Sequence, residues 1–235
     1  YAVGSILKDG TNSANPKPIN FKDGAYIADG TLESPIIISN RWIWAYNSPT
    51  PAGASDWDNY YQWKYIRSTL PIKAGEGFTM KGTGGTALVT TMQNYVFVGK
   101  PHSGNITNLS TNTNGTYLIG NPYPSALDAD EFILDNLASR AGDNIFNGAL
   151  YFWDHFRLTN NHLLAEYSGG YATYTLIGGV EAIANTPLTV NDGVHGSKIP
   201  SRYIPVGQAF FVEGKIDPAL SETVSVDGGT LVFKN

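Results

Sequence analysis

The sequence predicts an all-β protein with a β-sandwich or jelly-roll-like fold. Three observations support this: short runs rich in Val, Ile, Tyr, Phe, Trp and Thr, turn residues between these runs, and 26 Gly and 13 Pro in 235 residues. A chain of this length suits one large domain or two smaller lobes. We expect two related β-lobes at 1–115 and 116–235, packed side by side or as a single domain.

Runs of β-forming residues predict strands along most of the chain. They lie at 36–39, 42–46, 61–66, 77–81, 87–91, 95–98, 117–119, 150–153, 171–176, 209–213, 223–226 and 230–233. Asn114-Gly115 and Asp227-Gly228 predict hairpin turns, because both residue types tolerate positive φ. The glycosylation-type sequons at Asn105, Asn108 and Asn114 predict an exposed polar loop over 102–116.

One short helix is expected near 126–138, after the sequence NPYPS at 121–125. Pro122 and Pro124 favour an extended entry, and Ser125 is suited to cap the helix with Asp128 at its third position. The apolar residues Leu127, Phe132, Ile133 and Leu137 then fall near one helical face. On this interpretation the acids of the first turn serve the positive end of the helix. A metal or catalytic role is the alternative.

Two segments of the chain resemble each other. GEGFTMKG at 75–82 and GQAFFVEG at 207–214 both follow a proline, Pro71 or Pro205, and both begin and end with Gly. This similarity supports two related lobes, although chance similarity between two Gly-bounded strands would look the same.

Aromatic residues are concentrated between positions 42 and 65, where four of the five tryptophans lie. Alternation along a strand places Trp42, Trp44 and Tyr46 on one face, which forms either a binding platform or part of the core. Trp57, Tyr60 and Tyr61 lie in or beside a polar loop and are the stronger candidates for exposed aromatics. Together these residues predict a carbohydrate-binding surface as an alternative to a purely structural role.

Candidate metal ligands are limited to two pairs of aspartates, Asp56 with Asp58 and Asp128 with Asp130. Neither pair has the full calcium-loop pattern, so we expect no cofactor and keep calcium as an alternative. Asp154 and His155 are neighbours on a predicted strand and should point to opposite faces. The chain has neither a GxSxG nucleophile elbow nor an HExxH metal motif, and nothing selects a glycosidase carboxylate pair. The sequence therefore predicts a protein that is not an enzyme.

The composition limits the classes of partner. The net charge is −5, which argues against a nucleic-acid partner. No apolar run approaches the roughly 20 residues that cross a bilayer, so we expect no membrane insertion. With no cysteine, the chain forms neither disulfides nor thiolate metal sites. Because it carries no signal peptide and does not begin with Met, we interpret it as a piece of a longer protein.

Several longer motifs occur in a characteristic order: QNYVFVGKPHSGNI, YLIGNPYPSALDADEFILDN, LYFWDH, GGYATYTLIGG and YIPVGQAFFVEG. In these motifs the chain resembles the segment that precedes the C-terminal sorting domain in large secreted surface proteins carried by the type IX secretion system. The resemblance covers about 60–234, and 1–59 match less clearly. Ala209 departs from the pattern, because the family more often has Gly there.

The resemblance implies location and context. It implies a secreted or outer-surface module, exported by the type IX secretion machinery, with surface glycans as further candidate partners. It supplies no catalytic residues. We therefore expect a non-catalytic structural or adhesive module. A carbohydrate-binding module using the aromatics near 42–65 is the alternative, followed by a polysaccharide-degrading enzyme.

Overall fold

The computed structural model describes residues 1–24, 35–48, 61–83, 92–155, 169–182, 196–214 and 225–235. Strand is the main secondary structure of the described part, arranged in several sheets with few helices, which confirms the predicted all-β, sandwich-like fold. None of the helices in these ranges has the length and hydropathy needed to cross a membrane.

The strands and helices follow one another in this order: α1 (Val3–Ile6), β1 (Leu7–Asp9), β2 (Lys17–Pro18), β3 (Asn20–Lys22), β4 (Ile37–Ser39), a 3₁₀ turn (Asn40–Trp42), β5 (Trp44–Ser48), β6 (Trp63–Tyr65), β7 (Tyr95–Phe97), β8 (Ile106–Thr111), β9 (Thr116–Gly120), β10 (Leu127–Asp128), α2 (Ala129–Asp135), α3 (Ala138–Ala141), β11 (Leu150–His155), β12 (Gly169–Thr175), β13 (Gly178–Val180), β14 (Tyr203–Ile204), β15 (Ala209–Glu213) and β16 (Gly229–Phe233).

The central feature is a seven-stranded sheet in the order β13-β12-β11-β15-β9-β5-β6. Its pairings are antiparallel, and β9 lies between β15 on one side and β5 on the other. Smaller sheets join β2-β1-β7, β8-β16, β10-β14 and the parallel pair β3-β4. Because β5 belongs to the central sheet, residues of the N-terminal 1–59 segment form part of this fold.

The inner face of the central sheet carries the larger hydrophobic core. Strand alternation directs Leu150, Phe210 and Val212 to this face, where they pack with Phe132 of α2 and Phe233 of β16. The β8-β16 pair and α2 thus cover the sheet, which gives the two-layer arrangement of a sandwich. Full burial of a large apolar side chain stabilises the fold by about 1.5–3 kcal/mol.

A second hydrophobic cluster is built from the N-terminal part of the chain. It contains Val3, Leu7, Ile38, Ile43 and Ala45, with other residues before position 96. The larger core uses residues from position 106 onward. The predicted boundary at 115/116 stays a prediction. The central sheet takes strands from both sides of that boundary.

The two similar segments occupy equivalent positions in the sheet. Thr79, the fifth residue of the first segment, bridges Trp44 of β5, and Phe211, the fifth residue of the second, pairs with Tyr151 of β11. Both segments also contact β9. Glu76 bridges Ile119, while the whole of β15 pairs with β9. The segments flank β9 from opposite sides.

The first glycines of these segments have matching environments. Gly75 and Gly207 both have positive φ, at 83° and 74°. A Cβ on Gly75 would lie 2.8 Å from the ring of Phe233, and a Cβ on Gly207 would lie 2.5 Å from the ring of Phe97. Each glycine therefore accommodates an aromatic ring from the other half of the chain.

The helix after NPYPS begins later than predicted. Residues 127–128 are extended because β10 pairs with β14. As a result Asp128, and not Ser125, is the N-cap: its Oδ1 accepts hydrogen bonds from the N–H groups of Asp130 (3.1 Å) and Glu131 (3.4 Å). The helix ends at Asp135, so Leu137 lies beyond it and packs against the core from a loop. The predicted helix exists but is shorter.

Other predictions require correction. Trp42 ends a 3₁₀ turn, so it does not continue the strand of Trp44 and Tyr46. Asn114-Gly115 forms a turn from Asn112, but β8 and β9 do not pair with each other, so no hairpin results. The region 102–116 is largely exposed up to Ser110, as predicted, but it is not one loop, because β8 lies between its two loop stretches. Residues 87–91 and 223–224 lie outside the described residues, and 77–81 form bridges but no strand.

Candidate functional site: an aromatic cleft on the outer face of the sheet

The outer face of the central sheet is aromatic. Alternation along each strand places the following residues opposite the core: Trp44 and Tyr46 on β5, Trp63 on β6, Tyr151 and Trp153 on β11, Tyr171 on β12 and Phe211 on β15. Their neighbours Ala45, Leu150, Ala172 and Phe210 are buried on the other side. The two faces of one sheet therefore differ: one is packed into the core, and the other presents rings.

These rings contact one another across the sheet. Trp153 meets Tyr171 at a centroid distance of 5.2 Å, and Tyr171 meets Phe211 at 5.6 Å. Phe211 lies 5.6 Å from Tyr46, which lies 4.7 Å from Trp63. Such edge-to-face and tilted pairs fix ring orientation. With a strand spacing of about 4.8 Å, the row from β12 to β6 extends over roughly 24 Å.

The aromatic face forms one wall of a cleft of about 1310 Å³. The cleft is also lined by residues near the N-terminus and β7, including Tyr95 and Phe97, and by Pro122, Tyr123 and Pro124 of the NPYPS turn. Several rings remain accessible: Trp153 is 48% exposed, Tyr171 45% and Phe97 41%. A large concave site with mixed rings and a few polar groups is the usual form of a ligand pocket.

Of the six aromatic residues predicted from this window, the structure brings three to the cleft, whereas Tyr46 is buried and does not line it. Trp42, Trp44 and Tyr61 line it, and Tyr61 is 75% exposed. Trp57 and Tyr60 lie outside the described residues. The indole N–H of Trp44 donates to the carbonyl of Arg41 at 2.6 Å, which holds the ring in place.

Sequence reasoning missed the other half of the face. Trp153, Tyr171 and Phe211 come from the second half of the chain, far from the aromatic window. The signal was available, because LYFWDH shows the same period-2 spacing of rings as WIWAY. The pairing of distant strands could not be inferred from that spacing.

A cation lies within the cleft. The Nζ of Lys81 is 3.6 Å from the centroid of the Trp42 ring, a cation–π contact. Burial lowers the pKa of Lys81 to about 8. Gly82, the next residue in the chain, lies close to the side chains of Gln93 and Tyr95. The Tyr95 hydroxyl donates a hydrogen bond to Gln93 Oε1 at 2.7 Å. Burial, together with the charge of Asp9, raises the pKa of Tyr95 to about 12, so the phenol remains protonated.

The acids after the NPYPS turn contact an arginine. The guanidinium of Arg202 binds both oxygens of Asp128 at 2.8–3.1 Å and approaches Asp130 Oδ2 at 3.3 Å. The other oxygen of Asp130 accepts from the Tyr174 hydroxyl at 2.8 Å. The hydrogen bond from Arg202 has the largest effect on the pKa of Asp128. Together with backbone hydrogen bonds from Glu131 and Asp130, it holds that pKa below its usual value.

These contacts give Asp128 and Asp130 a structural role within the fold. Arg202 supplies the positive charge beside Asp128 and Asp130 that a cation would otherwise supply. Asp56 and Asp58 lie outside the described residues. Among the residues that the structure describes, no group of three or more His, Cys, Asp and Glu side chains is placed to hold a metal ion. Calcium binding stays a prediction for both pairs.

The asparagine of NPYPS is a structural residue. Its side-chain NH2 group donates to the carbonyls of Ser125, Ile204 and Pro205 at 2.8–3.2 Å, and its Oδ1 accepts from the N–H of Tyr123 at 2.9 Å. Asn121 is buried, so these bonds satisfy an amide that has lost its water. They attach the turn to the segment before β15 and fix one rim of the cleft.

Asp154 and His155 do not form a pair. Both belong to β11, where neighbours point to opposite faces. Asp154 is buried and forms an ion pair with Lys198 at 3.2 Å. Its carboxylate therefore serves an internal contact away from the aromatic face.

Fold and site together define a β-sandwich-like module with an aromatic, partly cationic cleft. By sequence, residues 32–229 match the family described as "Domain of unknown function (DUF8693)", and the chain belongs to that family. No curated protein and no solved structure matches the chain.

Proposed function

We propose that the chain is a non-catalytic adhesive module that binds glycans in its aromatic cleft. The observation that carries the proposal is the row of contacting rings on the outer face of the central sheet, with Trp153 and Tyr171 nearly half exposed. A sheet face left to solvent is normally polar, so a wall of rings indicates an interaction surface. Flat rings in fixed orientation suit the apolar faces of sugars.

The polar groups of the cleft support binding without catalysis. Among the described residues that line it, Glu76 supplies the only carboxylate. Its Oε2 accepts a hydrogen bond from the backbone N–H of Lys73 at 2.9 Å. Glycoside hydrolysis ordinarily requires two carboxyl groups across the scissile bond. The described lining offers one, and that one stabilises a turn.

We extend the proposal to location. The resemblance of the motifs at 60–234 to type IX secretion cargo, together with a content of charged residues of only 15%, supports a module of a secreted or surface-attached protein. The secretion machinery is then its partner during export. Cell fractionation tests this: the parent protein should reach the outer surface in wild-type cells and accumulate inside cells that lack the translocon. Unchanged surface display without the translocon would contradict the proposal.

Glycan binding is tested on the chain as it stands. Screening on a glycan array, followed by calorimetry on the best ligands, should detect binding that Trp153→Ala reduces by about tenfold or more, the loss expected when one stacking contact of about 1.4 kcal/mol is removed. Reducing-end assays on the same glycans should show no cleavage.

Tyr203→Ala is the matched control. Tyr203 is an exposed aromatic on β14 and does not line the cleft. Its removal should leave affinity unchanged. Equal losses in both variants, or no binding to any glycan at millimolar concentration, would refute the proposed function.

A further inference from the structure

The rings on the outer face of the central sheet are not coplanar. Trp153 and Tyr171, both nearly half exposed, meet at an interplanar angle of 68°. Tyr171 stands at 87° to Phe211, and Phe211 stands at 78° to Trp63. Edge-to-face contacts are a favoured arrangement of aromatic pairs, so the packing of the rings on one another maintains these angles. A flat ligand surface can therefore stack on one of these rings, but not on two neighbours at once.

The rings also converge above the strands that carry them. Phe211 belongs to β15 and Trp63 to β6, and β9 and β5 lie between these strands in the sheet. In a flat sheet the two strands would lie about 14 Å apart, but the centroids of the two rings are 6.3 Å apart. Tyr46 of β5 contacts both rings and is only 8% exposed. The middle of the row is thus a compact cluster and not a flat platform.

Several elements besides the central sheet contribute to the cleft. Its lining includes Phe97 of β7 and the NPYPS turn. Phe97 is 41% exposed, and its ring lies against the backbone of Gly207. The cleft volume of about 1310 Å³ exceeds the roughly 300–1,000 Å³ of pockets that bury a drug-sized ligand. Several sugar units of one chain can enter a cleft of this size, whereas the face of a polysaccharide crystal cannot.

Resting on the proposed glycan binding, we propose that the ligand is a single soluble polysaccharide chain bound over several sugar units, and that crystalline polysaccharide is not a ligand. Two observations support this: the large angles between neighbouring accessible rings, and the lining of the cleft by several elements. Because glycosidic bonds rotate, successive units of a soluble chain can meet rings of different orientation. The units of a crystal face are fixed in one plane. Trp153 and Tyr171 then stack on the chain from the sheet, and Phe97 contacts it from β7.

The test compares short with long chains and soluble with crystalline forms. Calorimetry measures binding of cellobiose and cellohexaose, maltose and maltohexaose, chitobiose and chitohexaose, and the best ligand of the glycan array. Depletion from solution measures binding to crystalline cellulose and crystalline chitin. We expect at least one hexamer to bind about tenfold more tightly than its dimer, the gain from one further stacking contact of about 1.4 kcal/mol. The crystalline forms should deplete wild-type protein no more than Trp153→Ala.

Phe97→Ala distinguishes a chain inside the cleft from a ligand that lies only on the outer face of the sheet. It should weaken binding of the preferred hexamer about tenfold, because one stacking contact is lost. Urea unfolding shows whether the variant is folded. Phe97→Leu is the second variant, since it keeps an apolar side chain against Gly207 but has no ring. Tyr203→Ala, at an exposed ring that does not line the cleft, is the control and should leave affinity unchanged.

The outcomes separate the two proposals. Three results would each overturn the inference and leave glycan binding intact: binding to crystalline cellulose or chitin that the soluble hexamer does not displace, a preferred hexamer that binds no more tightly than its dimer, and unchanged affinity in folded Phe97→Ala or Phe97→Leu. Absence of binding to all these probes and to every glycan on the array overturns both proposals.

Discussion

The acid-rich segment 121–136 and the aromatic outer face of the central sheet are both candidate sites, but their side chains have different partners. In the segment, Asn121, Asp128, Asp130 and Asn136 bond to groups of the fold itself. On the aromatic face, the rings contact each other and line a cleft. The polar groups of the segment are already bonded within the fold, whereas several rings of the outer face stay exposed, and it is on this exposure that the proposed glycan binding rests.

The largest expected contrast compares one ring from each region. Phe132 of α2 is buried among Phe146, Phe210 and Phe233, and Phe132→Ala should lower the free energy of unfolding by about 3–5 kcal/mol. Trp153→Ala, at a ring that is 48% exposed, should cost much less. Urea denaturation of both variants measures the difference. Equal losses would mean that the outer face is core as well.

A smaller effect is expected at the turn. Asn121→Ala leaves the carbonyls of Ser125, Ile204 and Pro205 without their shared donor, and should lower the free energy of unfolding by about 1–3 kcal/mol. Because the turn forms a rim of the cleft, glycan affinity should fall too. Chemical denaturation and calorimetry on the same sample test both. A variant with unchanged stability would show that Asn121 does not hold the turn.

The start of α2 tests which residue caps it. Asp128→Ala removes both the N-cap and the partner of Arg202, and loss of the cap alone should cost about 0.5–2 kcal/mol of unfolding free energy. Ser125→Ala is the matched control and should have almost no effect, because Ser125 precedes the extended pair Leu127–Asp128. Thermal and urea unfolding of both variants measure the two losses of stability. A larger loss for Ser125→Ala would mean that Ser125 caps the helix, as the sequence predicted.

The smallest effect expected is on acid stability. Hydrogen bonding to Arg202 lowers the pKa of Asp128, so this carboxylate stabilises the fold above its unfolded pKa of about 3.9 and loses that contribution as pH falls through its folded value. Burial alone would raise the pKa of Asp9, but hydrogen bonds from Thr11 and Ile36 outweigh it and lower it.

Urea unfolding at pH 7 and at pH 3 should therefore show wild-type protein losing more stability on acidification than Asp128→Asn, which has no charge to lose. Asp9→Asn should behave in the same way. Identical acid losses in wild type and both variants would mean that neither carboxylate is stabilised by folding. Binding in the cleft should be less affected down to about pH 5, since these two aspartates do not line it.

Local patterns made much of the fold predictable. Residues 209–213 were expected as a strand and form β15 over the same range, because Phe210 and Val212, two positions apart, are both buried on one face of a strand. The helix near 126–138 was predicted from its apolar spacing, but its start was wrong. Pairing of Leu127 with Ile204, a contact across 77 positions, extends the chain where capping rules alone allow a helix.

The candidate site was only partly predictable. The 42–65 window was recognised as aromatic, and Trp42, Trp44 and Tyr61 do line the cleft. Trp42 was placed on a strand with Trp44, but the 3₁₀ turn at Asn40–Trp42 interrupts that alternation. The cation at Lys81 carried no signal, because a lysine near the end of a predicted strand is usually solvated.

By itself, the sequence determined the fold class and many of the strand positions, because these depend on neighbours two to four residues apart. Only the tertiary structure decided that β5, β11, β12 and β15 share one sheet and that Lys81 lies against Trp42. The physical reason is that strand order depends on the total burial and hydrogen bonding of the whole chain. No local pattern encodes which distant strand completes a face.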